Sequence, residues 1–422
     1  MNHGGGIFNE GGTVILDNST ISSNTANEGG GVFNWDDGSL SVQNSSAIGE
    51  TGFGNSATSD GGGIYNFIAT VTVDGSTVSA NTAVNGGGIF NGGSEFFPST
   101  LVITNSSVIG GTGAGNTAAN GGGINNNQLG VTTLFSSTVS ANDAADGGGI
   151  FNLSGLTIQD SSTIGGVTGA NTATNGDGVY NADGTAWLDN STILSNTAST
   201  HGGGVYNDAS LYVKNESAVS SNEATINGGG IYHSGTLSIT NSTIGGIGTG
   251  NIAGQYGGGI YNKLGTTTID SSTISANTAD YGGGICNGAT LIIFNNSLIG
   301  GFGAGNIAAS EGGGIYNLSG SATISGCRII FNTATNGGGI FNNENTTAAT
   351  HMTGSCFSGN SDTSFFNNMS ALQIATGNWW GTSAGPNSPG ADTVAGNVDV
   401  SGYLTVPILG CKIYIFLPLI MR

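Results

Sequence analysis

The sequence predicts an all-β fold, a right-handed parallel β-helix solenoid of about 13 coils with a C-terminal cap. Three observations predict it. A motif of GGG(I/V), an aromatic residue and Asn recurs thirteen times, apolar residues stand two apart in short runs, and like residues return at like places in each unit.

Motif copies begin at Gly4, Gly29, Gly61, Gly86, Gly121, Gly147, Gly176, Gly202, Gly228, Gly257, Gly282, Gly312 and Gly337, at intervals of 25 to 35 residues. Repeats of this period point to a solenoid or a related array. Within a unit, pairs such as Val14 with Leu16, and Val71 with Val73, have strand periodicity, and no i, i+3, i+4 stripe suggests a helix. Three short strands with Gly and Asn corners fill about 25 residues. Such strands bury an apolar face only when each unit is one coil stacked on the next. The preferred hand of parallel crossovers makes the winding right-handed.

Stacking predicts columns of like residues. The motif ends in Asn in every copy but one, where His233 stands instead. A second Asn series runs from Asn24 to Asn332, with Ala two residues later each time. Asn tolerates left-handed corners, and its amide can bond to the copies above and below. Serines before the STI element are expected to be partly buried and bonded to backbone. The motif aromatics are expected to point outward as a column that includes Tyr180, Tyr206, Tyr232 and Tyr261, interrupted by Asn125 and Cys286. Stacking on sugar rings is one use for it, and cross-coil packing is the simpler one. Five units carry four extra residues at one corner, as in IGGTGAGN at 109–116, so these loops should project from one edge.

The chain divides into repeats over 1–342, terminal coils and a Trp-containing cap over 343–406, and an apolar tail over 407–422. Trp379 and Trp380 are placed to plug the open end of the stack. The apolar run 413–421 is broken by Pro418 and falls short of the ~20 residues a membrane helix needs. The first motif copy begins at Gly4 with no signal peptide before it, so the chain is expected to be a fragment. Five Lys and Arg against 25 Asp and Glu give a net charge of −20. Such a polyanion repels nucleic acid and anionic headgroups.

With these residues in view, NxAxxGGGIY resembles the repeats of the polymorphic outer-membrane protein family, with GGG(I/V) in place of its GGA(I/L/V) element. The NWWGTSAGP stretch at 378–386 is similar to the ends of secreted bacterial β-helix proteins. The resemblance covers about residues 1–405 and implies a secreted or cell-surface, adhesin-like role in a bacterium. The family's C-terminal membrane barrel has no counterpart here.

Pectate-lyase-like enzymes share this fold, so catalysis is the rival reading. Lyases need a cationic base beside clustered carboxylates, and hydrolases need facing carboxylates. The candidates are Asp189 and Lys214, at equivalent positions on adjacent coils, with His233 one coil further. A surface ion pair explains the first two equally well. Asp36 and Asp37 form the one adjacent acidic pair, and a turn accounts for them. No metal motif is present. Adventitious Ca²⁺ on scattered residues such as Asp17, Asp74, Asp270 and Asp280 is the most expected of any ion, and no cofactor is implied. Of the four cysteines, Cys356 and Cys411 flank the Trp pair, and the sequence leaves open whether they form a disulfide. The favoured reading is an extracellular structural or adhesive rod that contacts a polysaccharide or a protein. The alternative is a polysaccharide lyase or glycoside hydrolase.

Overall fold

The computed structural model describes residues 3–344, 348–408 and 411, so the apolar run 413–421 lies outside the described residues. All regular structure among them is β. Successive units stack as a parallel β-solenoid of about 14 turns. Three long sheets run its length. The first sheet holds the motif strands, from Ile7–Glu10 to Val394–Ala395, and the second runs from Thr13–Asp17 to Val398–Asp399. The third holds the STI strands, from Thr20–Ile21 to Cys356–Ser358. Strands pair in register, so Asn9 lies opposite Asn34, and Asn34 opposite Asn66.

A fourth line of parallel pairing, a strand in some turns and isolated bridges in others, was not expected. Parallel bridges at the Thr-Ala step join successive coils, and from Thr172–Asn175 to Ile307–Glu311 they extend into a six-stranded sheet. Only two or three residues take part in most coils, too few for a periodicity to show in sequence.

The three sheets turn Ile, Val and Leu inward to make one continuous core, which includes Val32, Leu40, Ile48, Ile64, Val71 and Val78. Each such side chain contributes roughly 1.5–3 kcal/mol on burial. The motif glycines make the corner that leads into it. The first has φ between 60° and 66° at Gly4, Gly86 and Gly337, a left-handed corner that side chains resist. At the second, coils approach closely: a Cβ on Gly87 would sit 2.5 Å from the Thr117 carbonyl of the next coil.

Both asparagine columns are buried hydrogen-bonded ladders. In the motif column Nδ2 donates to the Oδ1 of the next coil, at 2.7 Å from Asn9 to Asn34 and 2.9 Å from Asn34 to Asn66, and the series is interrupted where His233 follows Asn207. The second column is bound more tightly. Asn251 donates both its backbone N–H and its Nδ2 to Asn277 Oδ1, each at 2.9 Å, while Asn277 Nδ2 reaches back to the Ile244 carbonyl at 3.0 Å. The pattern runs unbroken from Asn24 through Asn332 to Asn360, one coil beyond the recognisable repeat. The serines before the STI element are buried from Ser46 to Ser297, and Ser19 on the first coil is half-buried. Ser46 Oγ donates to the Gln43 carbonyl and accepts the Ser19 N–H.

The winding continues past 342, with Phe365–Asn367 and Val394–Ala395 extending the first sheet. The second ladder ends on a carboxylate. Asp392 accepts hydrogen bonds from the N–H and Nδ2 of Asn360, from the Gly359 N–H and from Ser364 Oγ. Trp380 is fully buried and stacks on Phe357 at 4.5 Å, closing the core. Trp379 packs in a separate cluster with Ile330, Cys356 and Cys411, the last two joined by a disulfide.

Replacing Asn277 by Ala removes the acceptor of two Asn251 N–H groups and the amide that donates to the Ile244 carbonyl. The expected loss is about 3 kcal/mol, read as a lower midpoint in urea unfolding, and an unchanged midpoint would remove the ladder from its structural role.

Candidate functional site

Asp189 and Lys214 end neighbouring strands of the second sheet and lie opposite each other. Lys214 Nζ stands 3.1 Å from Asp189 Oδ2, and Asn215 Nδ2 donates to Asp189 Oδ1 at 2.7 Å. Burial alone would raise the Asp189 carboxyl. The hydrogen bonds from Asn215 and Lys214, with the ammonium charge, outweigh it and hold the pKa below the usual value. His233 does not join them. The residue one coil beyond Lys214 is Thr240, whereas His233 ends a first-sheet strand between Asn207 and Asn262. It replaces a ladder asparagine, is sealed from solvent, and bonds through Nε2 to Thr267 Oγ1 at 2.6 Å. An imidazole there reaches no substrate. Asp36 and Asp37 occupy an exposed left-handed turn, with φ of 54° and 59°.

The aromatic column forms outside the core, yet much of it is covered. Tyr180 and Tyr206 centroids lie 4.7 Å apart, Tyr206 and Tyr232 4.6 Å, and Tyr232 and Tyr261 5.4 Å. Corner residues fold over it: His201 stacks on Tyr232, and Tyr256 on Tyr261. Tyr232 is buried, and burial raises the phenols of Tyr180, Tyr206 and Tyr261 above their ordinary value. Tyr206 and Tyr232 stack at 20°, while Tyr180 meets Tyr206 at 54° and Tyr261 meets Tyr232 edge-on at 61°, so the column packs as a covered ridge.

The second sheet carries a different arrangement. Its outward face is mainly Thr and Ser, but Trp187 and Tyr212 rise from it as a stacked pair, 4.1 Å apart and 13° from parallel. Lys214 Nζ lies 4.8 Å from the Trp187 ring centroid. Beside them, at the corner before the second sheet, an open cleft of about 490 Å³ is lined by Leu129, Leu153, Gly155, Asp183 and Thr185, among others. This feature escaped the sequence reading. The available signals were Gly155, which stands where aligned units carry Thr, Ser or Val, and Trp187, the one Trp between Trp35 and Trp379.

Among the described residues, no three His, Cys, Asp or Glu side chains converge as a metal site requires. No helix among them is long and apolar enough to cross a membrane. Compared with protein-family models, curated proteins and solved structures, the chain matches none.

One buried carboxyl departs from the repeat. Asp177 replaces the middle motif glycine, is fully buried, and accepts a hydrogen bond from the Ala173 N–H through Oδ1, while its Oδ2 finds no partner. Burial pushes it up to about 8, against the lowering effect of the Ala173 and Asp177 backbone N–H groups. The His233 imidazole is pushed by burial the other way, down to about 4, and the Gly235 backbone opposes this only in part.

These two groups act on stability with opposite sign. Unfolded His233 takes up a proton as the pH falls below about 6.5, and the folded imidazole does so only near 4. Stability therefore falls as the pH drops through that window, by on the order of 3 kcal/mol. Folded Asp177 keeps a proton that the unfolded chain releases near its ordinary 3.8, so stability falls as the pH rises from there to about 8. Urea unfolding across the pH range should show His233→Asn removing the acid-side loss and Asp177→Gly removing the alkaline-side one. Parallel curves for wild type and variants would contradict both assignments.

Proposed function

We propose that this chain is a rigid, non-catalytic adhesive rod that works outside the cell, in the manner of the polymorphic outer-membrane protein repeats it resembles. The observation that carries the reading is the unbroken amide ladder from Asn24 to Asn360, which locks coil upon coil. Short polar side chains are left to face solvent on the second sheet. A solenoid of this kind holds surface features at fixed spacing along its length, as attachment requires. The disulfide between Cys356 and Cys411 suits an oxidising compartment.

The rival lyase or hydrolase reading needs carboxylates converging beside a base. Asp189 has Lys214 and Asn215 as its near partners, and His233 lies buried on another sheet. Polysaccharide contact of an adhesive kind needs none of that convergence.

Two measurements test this reading. Incubation with polygalacturonate should release neither unsaturated uronates, followed by ultraviolet absorbance, nor new reducing ends. In intact producing cells, the chain should be open to added protease and carry an oxidised Cys356–Cys411 pair. Polymer cleavage would overturn the non-catalytic reading, and a protected chain with both thiols reduced would overturn the extracellular one.

A further inference from the structure

The cleft beside Trp187 has the makings of a site, beginning with a glycine the fold does not need. Gly155 lies within a strand, outside the left-handed region, and a Cβ built on it would meet nothing nearer than Val131 Cγ2 at 4.0 Å. Its register partners are Val131 and Thr185. Neither backbone geometry nor packing therefore asks for glycine. Its one structural effect is to leave out a side chain where the neighbouring coils have one, and so to open the cleft.

What surrounds the opening is mixed in a particular way. Leu129 and Val131 are 42% and 45% exposed on one side. Trp187 stands two residues along the same outward face from Thr185, roughly 7 Å away, and Tyr212 stacks on it from the next coil. The register neighbours of the aromatic pair are Thr157 on one flank and Ser238 on the other, so the stack rises clear of short side chains. Asp183 at the cleft is exposed and offers carboxylate oxygens. Aromatic and aliphatic surface beside acceptors and hydroxyls matches a sugar ring, whose C–H faces are apolar and whose rim is hydroxyl.

Charge and topology narrow the class. The chain carries −20, and Lys214, the ammonium at this place, is already held by Asp189. Acidic polysaccharides and nucleic acids are therefore repelled. A peptide strand adds to a free sheet edge, and the strands here are hydrogen-bonded to coils on both sides. The cleft is open, so a long chain can cross it without an end being bound.

We propose that the cleft at Gly155, together with the Trp187–Tyr212 stack, binds a segment of a neutral polysaccharide. This rests on the adhesive reading above and gives it a place and a ligand class.

The test is electrophoresis of the whole chain through native gels containing a soluble polysaccharide: mixed-linkage β-glucan, galactomannan, arabinoxylan or, for comparison, polygalacturonate. At least one neutral polymer should retard the protein, and polygalacturonate should not. Gly155→Thr should fold as wild type, because Thr occupies the equivalent place on the next coil, and an unchanged thermal midpoint checks this. Gly155→Thr and Trp187→Ala should each weaken retardation at least tenfold. Absence of retardation by every neutral polymer overturns the proposal, as does equal retardation by polygalacturonate. Retardation that survives both substitutions also overturns it, by placing the glycan elsewhere on a rod that is still adhesive. The rod reading itself stands or falls on the protease and polygalacturonate-cleavage measurements, so the two failures are separable.

Discussion

A buried primary amide has to be satisfied on both its oxygen and its nitrogen, and along most of this fold its main partner is the asparagine one coil away. That requirement governs the rest. In the second asparagine column, each Oδ1 receives two N–H groups from the preceding coil, and each Nδ2 serves the following amide and an earlier carbonyl. A coil that slipped by one residue would turn its asparagine outward and leave three or more buried polar groups unpaired. Each such group costs about 1–3 kcal/mol. The register is therefore held by polar chemistry inside the rod, while the apolar core supplies bulk stabilisation and tolerates exchange among Ile, Val and Leu.

Because the ladders restrict only a few positions per coil, length can vary between them. The four-residue inserts enter between the third-sheet strand and the next ladder asparagine, so Ile109 and Asn116 keep their partners while the residues between bulge outward. Val167, Ile247 and Phe302 at the loop tips are 85%, 75% and 81% exposed, which shows how little the core depends on them. Ends are a different matter, since a ladder that stops leaves donors behind. Asp392 meets this with a carboxylate, a group that only accepts, placed where the last asparagine can only donate. Trp380 does the same for the apolar core by filling its end.

Much of this was legible in sequence because identical residues meet. Columns of Asn, Ser and Ala, spaced by whole coils, translate directly into stacked contacts, and the fold follows from them. What failed to show was whatever depends on which sheet a residue belongs to. His233 looked like a distant companion of Lys214 because both follow strand-like runs, yet one faces an interior ladder and the other faces solvent. Alternation turns the aromatic column away from the central core, yet Phe33, Phe90, Tyr232, Tyr316 and Phe341 are buried rather than exposed. Alternation says nothing of the corner residues His201, Tyr256 and Tyr281 that cover it. Asp392 lies beyond the repeat, where no column predicts its role. The cleft was invisible for a simpler reason: a missing side chain leaves no motif.

In a repeat protein the consensus is a statement of what the scaffold needs, so departures from it separate into two kinds by their physical consequences. Asp177 and His233 sit inside, where the consensus residue answers a steric or hydrogen-bonding demand. Each leaves a defect behind it: Asp177 Oδ2 is unpaired, and so is Asn262 Oδ1, which the missing ladder donor at 233 would have met. Trp187, Tyr212 and Gly155 sit outside, where the scaffold demands nothing. They leave no buried group unsatisfied beyond what their neighbours leave, and they alter only what the surface presents. Drift can produce either kind singly. A glycine that opens a cleft, set against a stacked aromatic pair two coils wide, joins two outward departures at one place. On a surface built mainly of Thr and Ser, that conjunction is where recognition has room to act.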